Sequence, residues 1–111
     1  MDTIAEYEHV LQDILSTHAR IPFANEQIQS RTVFQHEAHC YLLLAMGWQQ
    51  KKRIHDCLVH ADIIEGKIWL QTDETEYGIA NELVDAGIPK DRIVLGFHAP
   101  EIRALSGFAA Q

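Results

Sequence analysis

The stretch VHADIIEGKIWLQTDETE, residues 59–76, carries a histidine, five carboxylates, a lysine and a tryptophan in eighteen residues. His60 stands two residues before Asp62, an imidazole with a carboxylate to orient it, which is the pairing used in general acid–base catalysis. Asp73, Glu76 and, further along, His98 would complete a hydrolytic or small-ligand set. Glu65-Gly66-Lys67 is an E-x-K triplet, the pattern by which nucleases hold a metal ion. Outside this stretch, His36 and His39 stand three apart, Cys40 and Cys57 are the two cysteines, and Lys51-Lys52-Arg53 is the basic cluster.

Which of these chemistries survives depends on the elements that carry the residues. Ile4, Tyr7, Val10, Leu11, Ile14, Leu15 and His18 recur at steps of three and four, which predicts one face of an amphipathic helix over 4–19. Thr3 and Glu6 form a capping box at its start, and Pro22 stops it. From Ile28 the apolar period is two, and strands are predicted over 27–35, 40–48, 53–64 and 67–72. Their links, HEAH, QQKK and EG, are short, so consecutive strands should pair antiparallel as a meander. A second helix is predicted over 76–86, with Thr75 as cap, Glu76 in its first turn, Ile79, Ala80, Leu83 and Val84 as its apolar stripe, and Gly87 and Pro89 ending it. RIVLGF, 92–97, reads as a short buried strand, and Pro100 opens a last helical turn through Leu105. The fold class is α+β: a single domain over 1–111, with a largely antiparallel sheet that becomes mixed if the last strand joins in parallel, and with both helices packed on one face.

Side chains alternate across a strand, so parity sorts the chemistry. On 53–64, Cys57, Val59, Ala61 and Ile63 share one face, and Leu58, His60, Asp62 and Ile64 the other. A two-residue turn at Glu65-Gly66 pairs Asp62 with Trp69 and His60 with Gln71. Ile68, Leu70 and Thr72 then join the apolar face, while Trp69, Gln71 and Asp73 join His60. The nuclease reading fails on geometry, because Gly66 marks the turn tip, where positive φ is needed, and Glu65 and Lys67 do not share a strand face. The mixed face, Leu58, His60, Asp62, Ile64, Trp69, Gln71 and Asp73, is expected to be a protein interface, since apolar groups rimmed by polar ones mark one. Both helical stripes are needed on the opposite face, which leaves nothing to cover Trp69, and a homodimer or higher homo-oligomer is expected. Glu76, Gly96, Phe97 and His98 form a second candidate group, either a ligand site at a strand end or a structural motif in which His98 bonds backbone around the Pro100 turn. No three metal ligands converge at the usual spacing, so no metal and no cofactor is expected.

Nine Lys and Arg against sixteen Asp and Glu give a net charge of −7. That opposes direct duplex binding, which depends on neutralising phosphates, and Lys51, Lys52 and Arg53 would support weak binding only. The cysteines have no C-x-x-C spacing and are expected to be buried thiols in a reducing cytoplasm. The opening MDTIAEYEHV does not read as a signal peptide, and the longest apolar run, from Tyr41 to Trp48, is eight residues, far short of a membrane span.

HDCLVHADIIEGKIWLQTDETEYGIANELVDAGIPKDRIVLGFHAPEIRALSGFAAQ resembles the second half of the XisI family, the controlling factors for excision of the fdxN element in cyanobacteria. The shared pieces are H-x-C-x-x-H-x-D-I-I-x-G-K-I-W, D-x-T-E before G-I-A-x-E-L, A-G-I-P-K with V-L-G-F-H, and a terminal G-F-A. RIPFANEQIQSRTVFQHEAHCYLLLAMGW is similar to the first half more loosely. Ala99 stands where a second proline usually follows G-F-H, and Ser106 replaces a threonine. The resemblance implies a single α+β domain with a large mixed sheet and no catalytic residues. It implies a role in site-specific DNA excision during heterocyst development, beside a recombinase and a companion factor, XisH, that resembles restriction-type nucleases. Two classes of function are therefore weighed: a non-enzymatic controlling factor acting through protein contacts, and a ligand-binding or hydrolytic domain using His60, Asp62, Asp73 and His98.

Overall fold

The computed structural model describes residues 3–111; Met1 and Asp2, the first two residues of the expected domain, lie outside the described residues. Helix α1 spans Thr3–Arg20 and buries Tyr7, Leu11 and Leu15, the stripe set by the heptad-like spacing. Strands β1 (Ile28–Gln35), β2 (Cys40–Gln49), β3 (Lys52–Ile64) and β4 (Lys67–Asp73) follow as an antiparallel meander. Helix α2 (Ile79–Asp85) crosses over to β5 (Ile93–Leu95), which pairs in parallel with β4 and makes the sheet mixed, in the order β1-β2-β3-β4-β5. A short helix, α3 (Pro100–Arg103), leads into the C-terminal segment. Among the described residues, no helix is long and apolar enough to cross a membrane.

Both long helices lie on one face of the sheet, where α1 touches β1 and β2 and α2 touches β4. Tyr41, Leu43, Val59, Ala61, Ile68 and Leu70 point from the strands into that layer and meet Leu11, Leu15, Ile79 and Leu83. His18 Nε2 and Glu82 Oε2 lie 2.7 Å apart and tie the helices together, so His18 is a boundary residue of the core. At the other end of α1, Glu8 accepts a hydrogen bond from the Tyr41 hydroxyl and lies 3.2 Å from His39 Nδ1 and 3.6 Å from His36 Nδ1. The two turn histidines thus dock the helix onto the sheet.

Glu65 and Gly66 both have positive φ, 50° and 77°, which gives the expected two-residue turn and the expected Asp62–Trp69 pair. Two features of the sheet were not anticipated. In β3, Val59 pairs with Leu43 but Cys57 pairs with Leu44, so Leu58 is an extra residue. In β4, Leu70 pairs with Ala61 but Thr72 pairs with His60, so Gln71 is extra and the expected His60–Gln71 pair does not form. An extra residue inverts the alternation beyond it. Leu58 therefore turns to the helix layer and packs on the core, while Cys57 is exposed and shares the face of His60. By the same inversion, Thr72 joins His60 and Asp73 passes to the helix side.

Asp73 also explains why α2 starts late. Its Oδ1 accepts the Thr75 amide at 2.9 Å and its Oδ2 accepts the Ile79 amide at 2.6 Å. The carboxylate winds 74–78 into a loop and holds the first amide of the helix, so Thr75 does not cap it and Glu76 lies outside it, exposed. The last strand stops at Leu95 because Gly96 and Phe97 form a turn closed by the His98 amide on the Leu95 carbonyl, 3.0 Å. α3 ends at Arg103, short of the expected Leu105.

Candidate functional site

The face of the sheet opposite the helices divides into two halves. Over β4 and β5 the C-terminal segment lies across it. Arg103 sits 5.2 Å from the centre of the Trp69 ring, Ala109 bridges to Val94, and Lys67 donates to the Gln111 carbonyl. Trp69 is half-buried by its own chain, which corrects the expectation that nothing was left to cover it. Gly96 is glycine because a Cβ there would lie 2.9 Å from Gln71 Oε1, 3.0 Å from the Leu70 carbonyl and 3.3 Å from Trp69 Cε3. Ile64, 42% exposed, lines an open cleft of 570 Å³ at the hairpin end with Glu65, Lys67, Trp69 and Arg103.

Over β1, β2 and β3 no described segment covers the face. β2 alternates strictly: Tyr41, Leu43 and Ala45 go to the helices, and Cys40, Leu42, Leu44, Met46 and Trp48 go to the uncovered side. Trp48 is 47% exposed and Val33, beside Leu42 on β1, is 41% exposed. Arg53 stacks on Trp48 at 5.3 Å and donates to the Gly47 carbonyl at 3.3 Å, so one cation of the basic cluster is already engaged.

Near the junction of the two halves a cysteine, a histidine and an aspartate come together. Cys40 is directly opposite Asp62 across the β2–β3 ladder, and His60 is two residues along on the same side. His60 Nε2 is 3.1 Å from Asp62 Oδ1 and 3.6 Å from Cys40 Sγ. Gln71 Nε2 donates to the other carboxylate oxygen, Asp62 Oδ2, at 3.3 Å. All three of Cys40, His60 and Asp62 are half-buried. Burial, and then the adjacent Asp62 carboxylate, pushes the Cys40 thiol above its usual range. That direction opposes the activation a nucleophilic cysteine needs.

The expected set is thus partly assembled. His60, Asp62 and Gln71 meet, and Trp69 and Ile64 lie along the same face at the hairpin. Leu58 and Asp73 have left it for the helix side. His98 lies in the turn after β5, its ring 4.6 Å from that of Phe97 and its carbonyl accepting Arg103 Nε at 3.1 Å. Glu76 lies exposed in the loop before α2. A hydrolytic group of His60, Asp62, Asp73 and His98 therefore does not form. The residue missed in the sequence is Cys40, which reaches His60 only through the β2–β3 register; the Y-L-L-L run after it signalled a strand and concealed its parity. The uncovered stripe Leu42, Leu44, Met46 and Trp48 was missed for the same reason.

The XisI protein family model matches residues 1–110. The fold superposes on a crystal structure of a XisI-like protein from Anabaena variabilis ATCC 29413 with a TM-score of 0.89, at 32% identity over 96% of this chain and 97% of that one. It superposes on the fdxN element excision controlling factor XisI from the same organism with a TM-score of 0.85, at 33% identity over 99% of this chain and 100% of that one. No match was found among curated proteins. The near end-to-end agreement in sequence and fold leads to one assignment: the chain belongs to the XisI family.

Proposed function

We propose that this protein is a non-enzymatic controlling factor for site-specific excision of a DNA element, and that it works by binding proteins on the uncovered face of β1, β2 and β3. The observation that carries the reading is the stripe Leu42, Leu44, Met46 and Trp48, which is apolar, uncovered among the described residues and rimmed by Arg31, Arg53 and His55. Such a patch is the usual mark of a contact surface. The similar structure named an excision controlling factor supports the role, and the net charge of −7 suits a partner with a basic nucleic-acid channel. A nuclease-like companion of the XisH kind is the first partner proposed, with the excision recombinase as a second and a second copy of this chain as the resting occupant.

The test is direct binding of the purified companion to the wild type and to Trp48→Glu and Met46→Glu, with light scattering on each protein alone. A charge placed at the centre of the contact should weaken binding by about 2 kcal/mol or more, roughly thirtyfold in Kd. Unchanged binding and unchanged mass in both variants would remove this face from the reading.

A further inference from the structure

We infer that Cys40, His60 and Asp62 form a binding site for a tetrahedral divalent metal ion of the zinc type, with one coordination position open on the uncovered face of the sheet. The donor atoms are already spaced for it. A tetrahedral zinc with Zn–S of about 2.3 Å and Zn–N or Zn–O of about 2.0–2.2 Å separates sulfur from nitrogen by about 3.6 Å and nitrogen from oxygen by about 3.3 Å. Cys40 Sγ and His60 Nε2 are 3.6 Å apart, and His60 Nε2 and Asp62 Oδ1 are 3.1 Å apart. The three donor atoms lie within 4.8 Å of one another, close enough for small side-chain rotations to bring all of them onto one ion.

The arrangement also separates metal binding from a Cys-His-Asp catalytic triad. A triad uses the two ring nitrogens for different partners, one toward the acid and one toward the nucleophile. Here the same nitrogen, Nε2, faces both the sulfur and the carboxylate. Donor atoms gathered around one ring nitrogen suit a cation.

The support around the donors fits as well. Gln71 holds Asp62 Oδ2 and leaves Oδ1 facing the imidazole, the outer contact that orients a ligating carboxylate. The bulge that places Gln71 there also spoils its pairing with His60, so the irregularity in β4 serves the site. Thiolate, imidazole and carboxylate together favour zinc over the hard cations, which take oxygen donors alone. Cys40 and Asp62 come from neighbouring strands, so the ion would cross-link β2 to β3.

The experiment is a titration of the chelator-stripped full chain with Co²⁺ and then with Zn²⁺. The expected result is one equivalent of bound cobalt with a thiolate-to-cobalt charge-transfer band, displaced by zinc, and a thermal midpoint raised by Zn²⁺. Cys40→Ser should abolish the band. His60→Ala and the near-isosteric Asp62→Asn should each weaken binding at least tenfold, and Gln71→Leu about tenfold. His39→Gln, at the separate Glu8 cluster, should leave the titration unchanged. Absence of the band in the wild type overturns the inference. So does a band that persists in Cys40→Ser, or an affinity unaltered in Asp62→Asn, which keeps the shape of the sheet.

Discussion

The Tyr41 hydroxyl donates to Glu8 at the buried seam between α1 and β2, and both groups titrate away from their ordinary values. That bond, aided by His39 and His36, holds the Glu8 carboxyl below the usual carboxylate range. Burial, and then Glu8, pushes the Tyr41 phenol far up. For Glu8 the folded value is depressed, so its contribution is present above the unfolded value of about 4.3 and is lost as pH falls through the folded one. For Tyr41 the folded value is raised, so its contribution is complete below about 10 and is lost as pH rises beyond that. Tyr41→Phe should cost about 1.5–3 kcal/mol, the range for a bond to a charged acceptor, and should flatten the acid limb of stability. Urea denaturation at several pH values reads both effects; a variant as stable as wild type at neutral pH would show the bond to be incidental.

At the scale of elements, the departures from alternation decide what was legible. Helix α1, four antiparallel strands and the Glu65-Gly66 turn follow from local pattern, because each buries one face and repeats with a fixed period. The two bulges do not, because an inserted residue changes no local propensity and becomes visible only when a partner strand supplies the count. One consequence is that Leu58, Cys57 and Asp73 exchanged faces; His60 and Gln71 still meet at Asp62, and Cys40 joins them only through the β2–β3 register. Asp73 is then a structural residue of the β4–α2 link. Asp73→Ala should destabilise by about 1–2 kcal/mol, as loss of a helix cap does, with faster amide exchange across 74–79 and little change at His60. Gly96→Ala forces a methyl against the Leu70 carbonyl and the Trp69 ring, and should cost about 1–3 kcal/mol by overpacking. Thermal unfolding of each variant checks the size, and a neutral result for Gly96→Ala would mean that the C-terminal layer yields easily.

Over the whole molecule, charge and shape divide the work. One face of the sheet builds the core with α1 and α2; the other is half roofed by the C-terminal segment and, among the described residues, half bare. The surplus of acid leaves few groups for phosphate: Arg53 is engaged with Trp48, while Lys51 and Lys52 sit exposed at the β2–β3 turn. The isolated protein should bind duplex DNA no more tightly than nonspecific binders, with Kd of about 10⁻⁶ M or weaker at physiological salt. Fluorescence anisotropy on labelled duplex measures this, and a submicromolar value near 150 mM salt would overturn the protein-contact reading in favour of direct recognition.

The parallel seat of β5 against β4 has a kinetic consequence. β1 to β4 pair with their chain neighbours, whereas Ile93 reaches Ile68 only after the α2 crossover is in place. Closing the longer loop comes at a greater entropic cost before any contact rewards it. The meander should therefore form first during refolding, and β5 with the Arg103 layer should lock on afterwards. In a Trp48→Phe background, Trp69 alone would report that step. Its fluorescence should change in a phase later than the gain of sheet signal, and the tail should be the first part of the native chain to open under mild denaturant.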